Sequence, residues 1–390
     1  MHPALKWFWD RLPRAAQDAI AMAADRRAGI AAPEPPAVPD DSDVAVFIGP
    51  TNYAGQATRW CRAAEQNPRV VGRSMMTIES NVFSYPVDHP VRWRTMMHSR
   101  EWQEALFSSL AERYTHVVFE AEMPLLGGMF GGDVRTQVRA LQAAGLTVAM
   151  LAHGTDARLP SGHRKREPWS YYANDDWVPV ERLEKEVQGN LDLLAALGCP
   201  TFVSTAGLLA DVPFAQLLPV VIDPARWAST TAPLDRRPLR VLHAPSNPLI
   251  KGTFMIEPVI ERLAEEGLVE YRRVQHRPQD EMPAFYAEAD IFIDQLRVGD
   301  YGVAACEAMA AGRLVVSHVS EQVRTAVQAA SGAELPIIEA NPDTLEDVLR
   351  AVIAAPDRYR AAASAGPDYI AKVHDGRLSR SVLEQYLFGL

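Results

Sequence analysis

The chain of 390 residues is long enough for two domains of ordinary size, each with its own hydrophobic core. Its formal net charge of −10 argues against a nucleic-acid-binding protein, although local basic patches for phosphate groups stay open. A composition of 48% hydrophobic and 23% charged residues indicates a soluble globular protein, and no apolar run approaches the roughly 18 residues of a membrane span.

Three cysteines, Cys61, Cys199 and Cys306, are widely separated and lack the spacing of metal ligands. This pattern predicts buried free thiols in a reducing compartment. Since no signal-peptide core is present either, we expect a cytoplasmic protein.

Residues 1–40 are predicted to be an N-terminal extension: a helix over 1–29, then a proline-rich linker. The helix carries aromatic and basic side chains, among them Trp7, Phe8, Trp9, Lys6, Arg11 and Arg14. It could lie on a membrane surface as a peripheral contact, or it could dock on the body of the protein. The acids Asp10, Asp18 and Asp25 dilute the basic face and favour docking.

The predicted first domain, residues 41–223, opens with an apolar strand over 44–49, a glycine-containing loop and a helix near 56–66. This order can cradle phosphate, but the loop lacks G-x-G-x-x-G and a P-loop lysine, and this argues against a dinucleotide site. For Gly55, a ligand-facing loop and an ordinary tight turn are both open. Further strands are predicted at 116–120, 146–152 and 201–204, with helices near 133–144 and 181–197, and residues 217–223 close the domain.

The strand at 146–152 ends in the hexapeptide HGTDAR, residues 153–158. Ligands bind outside the carboxyl ends of parallel strands, so His153 is a candidate site residue, the alternative being a structural histidine. The basic triplet at 164–166 predicts a solvated loop, with contact to an anionic acceptor as the alternative. Asn174, Asp175 and Asp176 follow no apolar strand, so no metal site is predicted there.

After a proline-rich linker over 224–238, the second domain, residues 239–390, starts with a buried strand over 239–244. In the following loop, Lys251 precedes Gly252 at the start of a helix. Its ammonium would add a point charge to the helix N-terminus, which favours a diphosphate clamp over an exposed surface lysine. Ser246 and Asn247 precede it as polar groups that can donate to phosphate without adding charge.

Residues 289–317 organise the second domain: a strand over 291–294, a glycine-containing loop, a small-residue helix over 303–311 and a strand over 314–317. The loop between Asp294 and Gly302 therefore lies at the carboxyl end of one strand and the amino end of a helix, where an anion is favoured. Glu307, about one turn into that helix, could accept hydrogen bonds from sugar hydroxyls.

The sequence GDYGVAACEAMAAG, residues 299–312, resembles the donor-binding signature of retaining GT-B glycosyltransferases of the family 4 type. The family's pattern is a Glu, seven residues, then a second Glu followed by Ala-Met-Ala-x-Gly. Glu307 matches the second Glu, which contacts the ribose in the family. Gly299 stands in place of the first, which contacts the donor sugar, and Asp300 is the nearest acid.

Two other segments resemble the same family: HGTDAR at 153–158, and Lys251-Gly252. The resemblance implies a GT-B fold, with two facing Rossmann-like domains and an interdomain cleft. The last helix is expected to pack back across the first domain. His153, Lys251 and Glu307 are the implied catalytic residues, and Asp156 and Arg158 order their loop or meet the acceptor. The implied donor-binding set is Gly55, Ser246, Asn247, Lys251, Gly252, His276, Gly299, Asp300, Tyr301, Gly302 and Glu307.

We therefore expect a retaining, metal-independent glycosyltransferase that uses a UDP- or GDP-sugar, with no cofactor. The acceptor would be a glycan, a lipid-linked molecule or a small molecule, in glycan, glycolipid or glycoconjugate biosynthesis. Two alternatives stay open: a nucleotide-sugar epimerase on the same fold, and a non-catalytic GT-B scaffold for another glycosyltransferase. Gly299 and the absence of the family's arginine before Lys251 favour the scaffold, whereas His153, Lys251 and Glu307 favour an enzyme.

Overall fold

The computed structural model describes residues 11–38, 42–78, 85–173 and 179–390. By contacts, the chain divides into two compact units, Met1–Asn81 with Pro86–Met150, and Val82–Tyr85 with Leu151–Leu390. The predicted domain boundaries at residues 40, 223 and 239 stay a prediction.

The described strands form two sheets. The first has seven strands in the order β3-β2-β1-β4-β5-β6-β7, and the second has five in the order β12-β11-β10-β8-β9. The strands pair in parallel in β3–β2, β2–β1, β1–β4, β6–β7 and all four pairs of the second sheet. The predicted fold class, two Rossmann-like α/β halves, is confirmed. The strands are β1 Val44–Gly49, β2 Val70–Ile78, β3 His89–Arg92, β4 His116–Glu120, β5 Thr147–Ala152, β6 Thr201–Val203, β7 Gln216–Leu217, β8 Leu239–His243, β9 Val269–Arg273, β10 Ile291–Ile293, β11 Leu314–Ser317 and β12 Ile338–Glu339.

Helices lie between most successive strands, as is usual for crossovers between parallel strands. They are α1 Arg14–Arg27, α2 Gln56–Ala64, α3 Trp93–His98, α4 Arg100–Arg113, α5 Val134–Ala143, α6 Pro160–Arg166, α7 Val180–Leu197, α8 Pro224–Trp227, α9 Pro248–Lys251, α10 Thr253–Glu265, α11 Met282–Glu288, α12 Val303–Ala310, α13 Glu321–Ser331, α14 Leu345–Ala354, α15 Arg360–Val373 and α16 Arg377–Leu383. A π-helix, Glu384–Phe388, follows α16.

The second sheet has a core on both faces because its central strands are apolar throughout. Phe292 and Val315 belong to one cluster of buried side chains, and Ile291, Ile293 and Leu314 belong to the other. Successive side chains of a strand point to opposite faces, so the two clusters cover the two sides of the sheet.

Helix α15 packs closely on the small-residue helix α12. A Cβ built at Gly366 would lie 2.6 Å from the carbonyl oxygen of Met309, so only glycine allows this approach. The sequence predicts a helix near 358–365, whereas the observed helix, Arg360–Val373, continues through Pro367. Packing against α12 outweighs the low helix propensity of the Gly-Pro pair.

One other local prediction is wrong. Residues 164–166 belong to α6 rather than to a loop, and Arg166 pairs at 2.7 Å with Asp211, whose side chain is 3% exposed. Of residues 217–223, which are expected to close the first domain, Leu217 belongs to β7. Strand β2 and helices α3 and α4 have no counterpart in the predicted elements.

The described part of the N-terminal extension is docked within the first unit. Helix α1 contacts α3 through Asp18, which lies 2.7 Å from His98 Nδ1, and through Asp25, which lies 3.2 Å from the Arg94 guanidinium. The aromatic residues Trp7, Phe8 and Trp9 lie outside the described residues. Peripheral membrane contact through 1–29 stays a prediction, and none of the described helices has the length and apolarity to cross a membrane.

Candidate functional site

The predicted donor residues of the second sheet lie in the loops that leave the carboxyl ends of β8, β9 and β10. Because these strands are parallel, their following loops share one edge of the sheet. The third loop leads into α12, whose first N–H groups have no partner within the helix. The topology therefore brings together a lysine-bearing loop, a second loop and a helix N-terminus, an arrangement that suits an anionic ligand.

Lys251 is the last residue of α9, and its ammonium reaches the end of β10. Its Nζ lies 2.6 Å from Oδ1 of Asp294, with 17% of the lysine side chain and 1% of the aspartate side chain exposed. Asp294 Oδ2 is buried without a hydrogen-bond partner among the described residues. The predicted clamp is therefore engaged by a carboxylate, with which a diphosphate would compete for the ammonium.

The other residues predicted after β8 and β9 do not form a cluster with the Lys251 side chain through any hydrogen bond among the described residues. Asn247 caps α9, since its Oδ1 accepts the N–H groups of Leu249 at 3.1 Å and Ile250 at 3.3 Å. Gly252, with φ +79°, joins α9 to α10. Ser246 and His276 are exposed, and His276 has a φ of 55°.

Glu307 lies in the second turn of α12 and is 4% exposed. Its Oε1 accepts a hydrogen bond of 2.5 Å from Gln279 Nε2, and its Oε2 accepts one of 3.4 Å from the Tyr286 hydroxyl. Burial, and then the charge of Glu307, raise the pKa of Tyr286, so the hydroxyl stays a donor. Gln279 and Tyr286 were not predicted as site residues.

Gln295 orders the loop before α12 with a single amide. Its Nε2 donates to the carbonyls of Asp300 and His318, each at 2.5 Å. Its Oε1 accepts the N–H groups of Arg297 at 2.8 Å and Val298 at 2.6 Å. All four hydrogen-bonding positions of the amide are thus used on backbone groups.

Asp300, predicted as the acid nearest the donor sugar, is buried among protein partners. Its Oδ2 accepts the Gly207 N–H at 2.9 Å and lies 3.4 Å from the Arg158 guanidinium. Its Oδ1 accepts the N–H of Tyr301 at 2.9 Å. The Tyr301 hydroxyl contacts the hydroxyl of Tyr369 at 2.8 Å. The roles predicted for Asp300 and Tyr301 toward the donor, and for Arg158 toward the acceptor, stay predictions.

His153 follows β5 and is half-buried. The side chain of Asp156 accepts the N–H groups of His153 at 2.7 Å and Gly154 at 2.5 Å. Asp156 therefore holds the loop that carries His153, which is one of the two roles predicted for it.

In the first unit, the loop after β1 is fixed by Glu120, which is fully buried at the end of β4. Its Oε2 accepts the N–H groups of Thr51 at 3.0 Å and Asn52 at 2.9 Å. Gly55 has a φ of 73° and precedes α2 as its N-cap residue. This loop forms the tight turn that the sequence leaves open, and contact of Gly55 with a ligand stays a prediction.

A carboxylate that the sequence did not single out lies against Gly299. Gly299 has a φ of +68°, and a Cβ built on it would overlap Oε1 and Cδ of Glu167 and would lie 2.7 Å from Oε2. Glu167 Oε2 is 2.8 Å from His318 Nε2, and His318 Nδ1 is 2.7 Å from Glu339 Oε1. Burial lowers the pKa of His318, but the hydrogen bonds and charges of the two glutamates outweigh it and raise that pKa to about 9.

No group of three His, Cys, Asp or Glu side chains is placed to hold a metal ion within residues 11–38, 42–78, 85–173 and 179–390. Asn174, Asp175 and Asp176, for which the sequence predicts no metal site, lie outside those residues.

No protein-family model matches the chain. No curated protein matches it either. Solved structures do. Sucrose-phosphate synthase from Thermosynechococcus elongatus is 13% identical with a TM-score of 0.57, over 89% of this chain and 99% of that one.

Two further structures are similar. The catalytic domain of starch synthase IV from Arabidopsis thaliana, bound to ADP and acarbose, is 10% identical with a TM-score of 0.55, over 88% of this chain and 99% of that one. HepE (Alr3699) from Anabaena in complex with UDP is 10% identical with a TM-score of 0.54, over 89% and 100%. These similarities show that the chain has the GT-B fold.

Proposed function

We propose that this protein is a glycosyltransferase that moves a sugar from a nucleotide-diphosphate sugar to an acceptor hydroxyl. One observation carries the proposal. The Lys251 ammonium, the N-terminus of α12 and the Glu307 carboxylate all belong to the carboxyl edge of the second sheet and its following helix. A cation, free N–H groups and a carboxylate match the diphosphate and ribose of such a donor.

In this proposal, Lys251 and the α12 N-terminus stabilise the charge that develops on the leaving diphosphate. Preorganised donors of this kind typically contribute about 10²–10³-fold each. Glu307 accepts hydrogen bonds from the ribose hydroxyls, which replace the Gln279 amide that it binds here. His153 supports the sugar.

The similar structures support a nucleotide-sugar donor on this fold, since HepE was also solved with UDP-glucose. At 10% identity, this comparison supports a shared fold and does not assign UDP-glucose to this chain. Our proposal names a UDP- or GDP-sugar. From the resemblance of residues 299–312 to the family 4 signature, it adds transfer with retention and without a metal. The leaving phosphate would take the acceptor's proton.

The first test is a thermal-shift panel with UDP, GDP, ADP and dTDP. A ligand at 100 times its Kd stabilises the folded state by about 2.7 kcal/mol. We expect one nucleotide to raise the Tm of the wild type but not that of Lys251→Ala or Glu307→Ala, each compared with its own ligand-free Tm. Lys372→Ala is the matched control, because Lys372 donates to the Gly332 carbonyl on the surface. It should respond like the wild type.

Retention and metal independence need a turnover assay with the sugar conjugate of that nucleotide. We expect the product to keep the anomeric configuration of the donor by NMR, and the rate to survive EDTA. An inverted product would refute the retaining mechanism.

A non-catalytic GT-B partner is the second candidate function. Gly299 offers no carboxylate of its own, and Lys251 and Glu307 already have protein partners in Asp294 and Gln279. If none of the four nucleotides shifts the Tm of the wild type, this second function replaces the first.

A further inference from the structure

The loop between β10 and α12 is contacted by a carboxylate that comes from another part of the chain. Glu167 directly follows α6, and its side chain occupies the volume in which a side chain at Gly299 would begin. The carboxylate of Glu167 can therefore lie here only because residue 299 has no Cβ.

The position of this carboxylate relates it to the proposed donor site. Gly299 lies three residues before Gly302, the N-cap of α12. Beyond its chain neighbours, no described atom lies within 4 Å of a Cβ built at Gly302. A diphosphate at this helix end would place its sugar within reach of the Gly299 region, because three residues of chain span at most about 10 Å, a distance that a phosphate and one sugar ring together can cover.

Residues behind Glu167 hold the other oxygen of its carboxylate. His318 binds Glu167 Oε2 on one side and Glu339 on the other, and Glu339 also accepts the Val319 N–H at 2.8 Å. The histidine thus engages one oxygen, whereas Oε1 is the carboxylate atom closest to a Cβ position at Gly299. Asp300, the adjacent acid, is already bound by Arg158 and two N–H groups.

We propose that Glu167 contacts the sugar of the donor and accepts hydrogen bonds from its hydroxyls through Oε1. This inference rests on the proposed function and deepens it. A carboxylate that is 7% exposed favours hydroxyl donors and repels a second carboxylate. The substrate class is therefore a nucleotide conjugate of a neutral, hydroxylated sugar rather than of a uronic acid.

The test is calorimetric titration of the wild type, Glu167→Gln and Glu339→Gln. The probes are the nucleoside diphosphate selected by the thermal-shift panel, its conjugate with a neutral hexose and its conjugate with a uronic acid. Glu339→Gln is the matched control, because Glu339 binds the same histidine but does not contact Gly299. A structural role exerted through His318 would affect both variants alike.

We expect the wild type to bind the neutral conjugate at least tenfold more tightly than the uronate. Glu167→Gln should lose about tenfold in affinity for the neutral conjugate and bind the free nucleotide within twofold of the wild type, whereas Glu339→Gln should keep both affinities. Equal losses in the two variants, or no loss in Glu167→Gln, would overturn the inference and leave the proposed function intact. A wild type that binds no nucleotide would overturn both. If Glu167→Gln does not fold, Glu167→Asp, which withdraws the carboxylate, takes its place with the same expectations.

Discussion

The carboxylate of Glu167 fills the space that a Cβ would occupy at Gly299. This contact joins the loop before α12 to the end of α6 without a hydrogen bond between the two residues. Its contribution to stability can be separated from the cost of a positive φ.

Gly299→Ala should be more destabilising than Gly267→Ala. The two glycines have φ values of +68° and +71°, but a Cβ at Gly267 has no neighbour within 4 Å among the described residues. We expect Gly267→Ala to cost about 1 kcal/mol, from the left-handed backbone alone. Gly299→Ala should cost roughly 2–3 kcal/mol more through overpacking.

Urea unfolding of both variants, each with and without Glu167→Ala, measures this difference. In the Glu167→Ala background the excess cost at position 299 should disappear, whereas the cost at 267 should not change. An excess that persists would show that Glu167 does not occupy this volume in solution.

Lys251→Met should destabilise the folded state by about 2–3 kcal/mol. The change leaves the Asp294 carboxylate buried without its counter-charge, and 17% exposure of Lys251 puts the cost below that of a fully buried pair. Adding Asp294→Asn should recover most of the loss in urea unfolding. If Lys251→Met is as stable as the wild type, the ion pair does not contribute to stability in solution.

Asp294→Asn alone should tighten nucleotide binding a few-fold. With the carboxylate replaced by an amide, the Lys251 ammonium can bind the diphosphate without first breaking an ion pair with Asp294. Isothermal titration of the nucleotide that stabilises the wild type measures the change. Weaker binding would indicate that Asp294 orients Lys251 rather than competing with its ligand.

His318 should make stability fall as the solution becomes alkaline. Its folded pKa of about 9 lies above the value of roughly 6.5 for an unfolded histidine. Its contribution is therefore complete below about pH 6.5 and is lost as the pH rises through 9. The rise in the pKa of His318 from roughly 6.5 to about 9 corresponds to about 3 kcal/mol.

Unfolding free energies at pH 6.5 and 9.5 should show this loss in the wild type and not in His318→Gln. His374→Gln serves as the control, because burial lowers the pKa of His374 to about 4, far from this range. Identical pH dependence in the wild type and His318→Gln would rule out the charged bridge between Glu167 and Glu339.

Glu120→Gln should loosen the loop after β1 in the first unit. The carboxylate accepts two N–H groups, from Thr51 and Asn52, while fully buried, and a neutral amide accepts them less strongly. We expect a loss of about 1–3 kcal/mol and faster hydrogen exchange of those two amides. Glu112→Gln, at an exposed position of α4, should stay within about 0.5 kcal/mol of the wild type.

Patterns local in sequence predicted the strands that form continuous apolar runs, such as β1, β8, β10 and β11, and hence the fold class. Strand β2 was not predicted because Gly72, Arg73 and Ser74 interrupt its run of apolar residues. It is buried through its neighbours in the sheet, which its own sequence does not reveal. The length of α15 was not predicted either, because it depends on packing against α12, which lies far away in the sequence.

The candidate site divides in the same way. Lys251, Glu307 and the α12 N-terminus could be located because strand-loop-helix order fixes which loops lie at the carboxyl edge. Their partners Asp294 and Gln279, and the insertion of Glu167 beside Gly299, could not, because these contacts join distant segments. A glycine in place of an acid shows only that a side chain is missing at that position, not which residue fills the volume.

The Gln295 amide has a thermodynamic consequence. Because it binds four backbone groups of the loop and its surroundings, the loop loses its conformational entropy when the chain folds. A ligand that binds there afterwards meets a rigid receptor, so its association carries little ordering cost. Binding at this edge of the sheet should then show a small heat-capacity change that reflects buried surface alone, without the larger change that accompanies folding of a loop.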